Sequence, residues 1–195
     1  MKPLHAIYKD AFFRRRYKLY WRTPVFCQAV VAILEPKSII DVGCATGEFV
    51  QCFENDFGIR AMGIEGSTHA FNHAVTDKIT LWDLRLPYLP ETKYDLCMSL
   101  EVSEHIEPEY TDVYIQTLVD LSDRILFSAA PPGQRGLYHV NCQHPQYWHD
   151  TFAEYGYKPN ERIVALIRIE LFPWRKKIGV RAFYQNLLYY ERGKT

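Results

Sequence analysis

Five short runs of continuous apolar residues, each followed by or leading into a stretch of helical periodicity, constrain this chain more than any other feature. They are SIIDV (38–42), IRAMGIE (59–65), KITLW (78–82), YDLCMSL (94–100) and RILFSA (124–129). A strand covered on one face alternates polar and apolar residues, whereas one covered on both faces reads as an unbroken apolar run. Around them lie GEFVQCFEND, STHAFNHA with Ser67 or Thr68 as cap, EPEYTDVYIQTLVDLSD and HPQYWHDTFAEYG, all with helical spacing. Strands alternating with helices predict right-handed crossovers and a mostly parallel sheet with helices on both faces. Two later runs, VALIRIELF (164–172) and AFYQNLLYYE (182–191), are separated only by PWRKKIGVR, so they are predicted to be strands six and seven, paired antiparallel at one edge. Ahead of the first strand, residues 4–34 read as one or two helices laid over the sheet.

Composition narrows the partners. The 195 residues suit a single domain, and 23 Lys plus Arg balance 23 Asp plus Glu, so no global field gathers nucleic acid or an anionic membrane. The five cysteines, Cys27, Cys44, Cys52, Cys97 and Cys142, are scattered and include no CxxC pair. That usage suits reduced thiols better than a disulfide framework or a structural zinc site. No apolar run approaches a membrane span, and charges occupy the N-terminus where a signal peptide would be apolar. The expectation is a soluble, cytoplasmic protein.

The first strand leads into DVGCATGEF, a tight turn opening a helix. Ligands of open parallel sheets bind at the carboxyl ends of the strands, and small residues there let the backbone approach them. A dinucleotide GxGxxG fingerprint needs a small residue where this chain has Glu48, and no GK[ST] loop grips a phosphate. A nicotinamide oxidoreductase is therefore disfavoured.

DVGCATG, with one acid ending the second strand at Glu65 and another ending the third at Asp83, resembles the class I S-adenosylmethionine-dependent methyltransferases from about Ser38 to Ser128. The resemblance implies a Rossmann-like seven-stranded, mostly parallel sheet with its last strand antiparallel, and S-adenosylmethionine as cofactor. It divides residues 1–195, read as one domain, into an N-terminal cap or lid (1–34), a cofactor-binding core (36–130) and a substrate-facing remainder (131–195). It implies that Asp41, Gly43, Ala45 and Gly47 line the methionine moiety, that Glu65 holds the ribose hydroxyls, and that Asp83 and the Leu84 backbone read the adenine edge. Cys44, Thr46, Gly66 and Ser99 join the same walls. Ala45 stands where the commonest form of the motif has glycine. A carboxylate can accept from both hydroxyls of a vicinal diol, and an aspartate from an exocyclic amine, so the chemistry is consistent. Each acid also has a plainer reading: a strand-end boundary residue at Glu65, an ion pair with Arg85 at Asp83.

The fourth run ends in SLEVSEHI (99–106). With a helical turn starting near Leu100, Glu101, Glu104 and His105 fall near one face. Carboxylates in a first turn also have a purely electrostatic reason to be there. LEVSEHI resembles the EVLEHV-type signature of a subset that includes ubiquinone-pathway O-methyltransferases and small-RNA terminal 2′-O-methyltransferases. In some of these the two glutamates, the histidine and a downstream histidine hold a divalent metal, which here implies Glu101, Glu104, His105 and His139. Without metal, methyl transfer needs the acceptor aligned and its proton removed, and a histidine of ordinary pKa, about 6.5, can take that proton. His139, His105 and Glu101 are the catalytic candidates.

The stretch PPGQRGLYHVNCQHPQYW reads as substrate-facing, with Gln134, His139, Asn141 and Gln143 directed at an acceptor and Tyr147 and Trp148 either walling its pocket or packed in the core. Basic, aromatic-interleaved segments at 9–22 and 173–181 could grip nucleic acid, but a solvated helix face is the favoured reading. The expected function is methyl transfer to oxygen, with nitrogen second, of a small molecule or glycan. The alternatives are a metal-assisted RNA 2′-O-methyltransferase and a module of this fold that binds cofactor without catalysis.

Overall fold

The structure is a computed structural model that describes residues 20–193 together with Phe13 and Lys18. Of the one or two helices expected over residues 4–34, the part before residue 20 lies outside the described residues except for Phe13 and Lys18. The chain enters with α1 (Arg22–Leu34) and continues β1 (Ser38–Val42), α2 (Glu48–Phe57), β2 (Arg60–Glu65), α3 (Thr68–Asn72), β3 (Ile79–Leu81) and β4 (Leu96–Leu100). It goes on through α4 (Thr111–Leu121), β5 (Arg124–Ser128), α5 (Pro145–Glu154), β6 (Tyr157–Pro159), α6 (Glu161–Leu171), α7 (Arg181–Asn186) and β7 (Leu187–Arg192).

The strands form one sheet in the order β3-β2-β1-β4-β5-β7-β6. Pairing is parallel from β3 to β5, and β7 runs against both β5 and β6. Because successive side chains on a strand point to opposite faces, the sheet sorts its own residues into two cores. Ile39, Leu96, Met98, Leu126 and Tyr189 pack with Phe26, Val30, Phe53 and Ile167 from α1, α2 and α6. Ile40, Val42, Cys97, Ile125, Phe127 and Tyr190 pack with Tyr114 and Leu118 of α4 and Trp148 and Phe152 of α5. Burial on both sides accounts for the unbroken apolar runs of β1 and β4, every residue of which is buried.

Two expectations need correction. VALIRIELF is not a strand but most of α6: Asn160 caps it by accepting a hydrogen bond from Ile163 N at 3.3 Å, and Val164, Ile167 and Leu171 form the buried stripe. That spacing of three and four is a helix period. Its β-branched residues favour a strand locally, and packing against α1 overrides that preference. The sixth strand is instead Tyr157–Pro159, where Pro159 sits on an edge that does not need its missing N–H. AFYQNLLYYE divides at Asn186, with α7 before it and β7 after.

A strand would place residues 167 and 169 on the same face, whereas the helix buries Ile167 fully and leaves Ile169 65% exposed. Ile167→Ala should therefore cost about 2–5 kcal/mol in urea unfolding and Ile169→Ala within about 0.5 kcal/mol of nothing. Equal costs would restore the strand.

Candidate active site

At the carboxyl end of β1 the chain makes a bend in which every second residue is left-handed: Gly43 at φ 80°, Ala45 at 53° and Gly47 at 78°. Such a conformation is free for glycine and costs an alanine about 1–2 kcal/mol. The two glycines are needed for space as well. A Cβ on Gly43 would overlap the Val102 side chain, and one on Gly47 would lie 2.6 Å from Ile79 Cδ1. What holds Ala45 in its strained position is Glu65, at the end of β2. Its Oε2 accepts from Ala45 N at 2.7 Å and its Oε1 from Ser67 N at 2.7 Å, so one buried carboxylate ties the loop after β1 to the loop after β2.

These loops and the end of β4 wall a cavity of about 290 Å³. Of the residues expected to bind a cofactor, Asp41, Gly43, Cys44, Ala45, Glu65, Gly66 and Leu84 line it, and so do Glu101 and His105 from the β4 side. Thr46, Gly47, Asp83 and Ser99 are not among the residues that line it. Thr46 Oγ1 donates to Glu48 Oε2 at 2.7 Å, while Gly47 opens α2. Ser99 is fully buried and hydrogen-bonded to the Tyr114 hydroxyl. Asp83 is engaged by Arg85, whose Nε and Nη2 donate to its two oxygens at 2.9 and 2.7 Å. Those bonds hold the Asp83 carboxyl below its ordinary pKa.

Sequence reasoning missed the other half of the enclosure. Phe13, Arg22, Phe49, Gly179, Ala182 and Phe183 line it as well. Arg22 was one cation among six in a basic segment, and the 179–183 stretch fell in a misread strand and its leading loop. Neither carried a motif.

On the β4 side the local structure differs from the expected helical turn at Leu100. Glu101 is left-handed, at φ 56°, and its N–H donates to Ser128 O and Oγ at 2.9 and 3.0 Å. A 3₁₀ turn follows only at Ser103–His105. The Glu101 carboxylate accepts from Gln134 Nε2 at 3.1 Å and from Asn186 Nδ2 at 3.1 Å. Asn186 Nδ2 also donates to Gln134 Oε1 at 3.0 Å, which closes the arrangement.

Glu104, His105 and His139 come together instead: one ligand atom from each lies within 4.8 Å of the others. His105 Nδ1 is 3.0 Å from Tyr138 O and His139 Nδ1 is 2.9 Å from Gln134 O. Carbonyls only accept, so Nδ1 is the donor in both bonds. Glu104 is fully buried, and neither carboxylate oxygen has a hydrogen-bond partner. Burial pushes its pKa up to about 8, and the Glu101 charge adds to the shift. Burial likewise pushes His105 down to about 4, so its imidazole is neutral at pH 7. The donor set, one carboxylate and two imidazoles, fits a divalent transition metal, and the two unbonded buried oxygens are what such an ion would satisfy.

The loop after β5 brings His139 to this cluster through close approach at Gly136, where a Cβ would overlap the His139 imidazole. Its other polar residues divide. Gln134 faces Glu101, whereas Asn141 is buried and donates to Thr111 Oγ1 at 3.0 Å, and Gln143 donates to Asn141 Oδ1. Trp148 is core, packed on Phe127, and Tyr147 sits half exposed above it. All five cysteines are free thiols, and burial raises the pKa of Cys27, Cys44 and Cys97 far enough to keep them protonated. No helix among the described residues is long and apolar enough to cross a membrane.

No protein-family model matches the chain, and no curated protein matches it in sequence. Solved structures do. Magnesium protoporphyrin IX methyltransferase from Synechocystis PCC 6803, with bound SAM, superposes with a TM-score of 0.62 at 18% identity, over 98% of this chain and 90% of that one. A SAM-dependent methyltransferase from Archaeoglobus fulgidus gives 0.63 at 14% identity, over 92% and 96%. The methyltransferase domain of bacterial CtHen1 gives 0.55 at 17%, over 72% and 88%. At such identities the likeness is one of architecture: the chain has the class I methyltransferase fold.

Proposed function

We propose that the protein is an S-adenosylmethionine-dependent methyltransferase that methylates an oxygen, with nitrogen as the less favoured atom, of a small molecule or glycan. The observation that carries this reading is the cavity enclosed by the Gly43–Gly47 bend, Glu65 and the end of β4. Glu65 lines the cavity at the end of β2, and a carboxylate can accept from both hydroxyls of a ribose. The sheet order supports it too, because β1 and β4 are adjacent where the order reverses, the position at which open α/β sheets take ligands.

In this reading the acceptor approaches from the β4 side, between Glu101 and His105. Its oxygen lone pair attacks the sulfonium methyl carbon in line with the breaking C–S bond, and the thioether leaves. The hydroxyl proton must go to a base. His139 is our first candidate, since it lies in the cluster with Glu104 and His105 and its Nδ1 is held by the Gln134 carbonyl. His105, neutral and part of the cavity wall, is the second. Glu101, fixed by Gln134 and Asn186, orients the acceptor hydroxyl.

A second reading, metal-assisted 2′-O-methylation of RNA, is favoured by the Glu104, His105 and His139 cluster. These three would hold the ion. Glu101, held by Gln134 and Asn186, would be a fourth donor only after leaving them. The metal would supply Lewis acidity that lowers the acceptor hydroxyl's pKa.

Thermal shift decides the cofactor. S-adenosylmethionine at 100 times its Kd should stabilise the protein by about 2.7 kcal/mol, and stabilisation by NAD alone would reject the assignment. Glu65→Ala should weaken S-adenosylmethionine binding about 10- to 100-fold by calorimetry. His139→Ala should leave that affinity intact and lower turnover to S-adenosylhomocysteine about 100- to 10,000-fold. Full activity of the second variant would remove His139 from the chemistry.

Glu104 gives a test of the metal. Its pKa rises from 4.5 to about 8 on folding, so between those values the native state holds a proton that the unfolded chain has released. Stability of the chelator-treated protein should then fall as pH rises from about 4.5 to about 8. Glu104→Gln should remove this contribution to the slope, and manganese or zinc should restore stability to the wild type but not to the variant. Equal response of both proteins to metal would dissolve the centre.

A further inference from the structure

We infer that residues 169–181 form a docking surface for an anionic lipid bilayer, with Phe172, Trp174 and Ile178 entering the headgroup region and Arg175, Lys176, Lys177 and Arg181 meeting the anionic headgroups. This goes beyond the methyl-transfer reading and does not depend on it.

The segment joins the end of α6 to α7 and is firmly held from beneath. Leu171, Val180 and Phe183 are buried. Arg168, in the last turn of α6, donates to the carbonyls of Tyr184, Gln185 and Leu187 at 2.8, 2.9 and 3.3 Å. Between these anchors the chain winds through a 3₁₀ turn at Phe172–Trp174 and further tight turns, closed by Lys177 N on Trp174 O at 2.8 Å and Arg181 N on Lys177 O at 3.1 Å. Yet its apolar side chains point outward. Ile178 is 83% exposed, and Ile169, Phe172 and Trp174 are exposed with it. Trp21, also exposed, packs on Trp174 with ring centres 5.9 Å apart. Scattered exposed apolar residues need no explanation, but a group of them on a well-fixed segment marks an interaction site.

Charge decides what covers them. Arg175, Lys176, Lys177 and Arg181 fall together, and no acid occurs between Glu170 and Glu191. None of the four is ion-paired with a carboxylate among the described residues. The overall balance of 23 basic and 23 acidic residues conceals this local excess. The run at 9–22 carries the same sign, and a second copy meeting this face about a two-fold axis would set like charges against each other. The partner must therefore be anionic and able to take apolar side chains. Nucleic acid does so by stacking bases on open aromatic faces. Here the Arg175 guanidinium carbon lies 3.6 Å from the Phe172 ring centre, its Nη1 donates to Phe172 O at 2.7 Å, and Trp174 is packed on Trp21. The side chains most open to solvent are the aliphatic Ile169 and Ile178, which offer a base nothing to stack on and suit the acyl boundary of a bilayer. Lysine and arginine mixed with tryptophan, phenylalanine and aliphatic residues are what an interfacial element carries. Gly179 and Ala182 line the cavity, so the docking face and the cavity are contiguous.

Sedimentation of the full chain with vesicles tests the docking, with phosphatidylcholine alone compared against phosphatidylcholine mixed with phosphatidylglycerol. Partitioning should be about 100- to 1,000-fold stronger to the anionic vesicles and should weaken as salt is raised. Ile178→Ser should lower it about 10-fold or more, and Lys176→Ala with Lys177→Ala about 30-fold. All three side chains are exposed, so the variants should keep the wild-type urea midpoint. Lys37→Ala with Lys78→Ala, at the amino ends of β1 and β3, should bind as the wild type does. Equal partitioning to neutral and anionic vesicles overturns the inference, as does undiminished binding by the Ile178 and lysine variants. Absence of vesicle binding overturns it too, and retention of single-stranded RNA through the same lysines would then make nucleic acid the occupant.

Discussion

The carboxylate of Glu65 is the interaction on which the rest of the site depends. By accepting from the amides of Ala45 and Ser67 it fastens the loop after β1 to the loop after β2, beside the bonds that Gly43 and Cys44 make to the Ile64 carbonyl. Hydrogen bonds to a charged group are worth about 1.5–3 kcal/mol each, enough to outweigh the roughly 1–2 kcal/mol that alanine loses in a left-handed conformation. The bend after β1 can therefore keep a side chain where its commonest form has none. The order of causes runs from β2 to β1: the second strand ends in an acid, and the acid shapes the turn that follows the first.

Sheet topology then decides which residues can meet. Because β4 returns beside β1 rather than beyond β3, the SLEVSEHI segment emerges against the bend, and Val102 packs over Gly43 so closely that no other residue fits there. Reversal of β7 has a second effect. It brings α7 to the carboxyl end of β5, from which Phe183 reaches the cavity and Asn186 reaches Glu101. The antiparallel edge thus does more than finish the sheet, since it supplies one side of the enclosure and one of the two amides that position an acid at its floor.

How much of this could be read from the residues varies with how local the cause is. β1, β2, β4 and β5 were legible because burial on two faces leaves an unbroken apolar run, and the bend was legible because left-handed backbone selects glycine. α6 was not, because its apolar residues are β-branched and nearly continuous; only the Asn160 cap and the spacing of Val164, Ile167 and Leu171 distinguish it from a strand. β6 spans three residues, too short to have a period. At the site, Glu65, His105 and the pairing of His139 with the β4 turn were anticipated from motif and spacing. Arg22, Gly136 and Asn186 were not, because each acts through a contact between distant segments that has no signature in its own neighbourhood.

Backbone strain gives an independent view of where the fold departs from economy. Four non-glycine residues among those described have positive φ, and one of them, Glu35, simply ends α1 ahead of a proline. The other three are Ala45, Glu101 and Tyr138, and all lie in the loops around the cavity and the Glu104 cluster. Each strained residue offers a group that an ordinary conformation would direct elsewhere. Ala45 presents its N–H to Glu65, Glu101 turns its carboxylate toward Gln134 and Asn186 instead of Glu104, and Tyr138 lends its carbonyl to His105 Nδ1. A Tyr138 hydroxyl bonded to Glu107 at 2.9 Å, with Glu107 beside buried Arg85, anchors the last of these. Strain of this kind persists only where surrounding contacts over-determine it, and here those contacts fix the Glu101 carboxylate and the His105 ring.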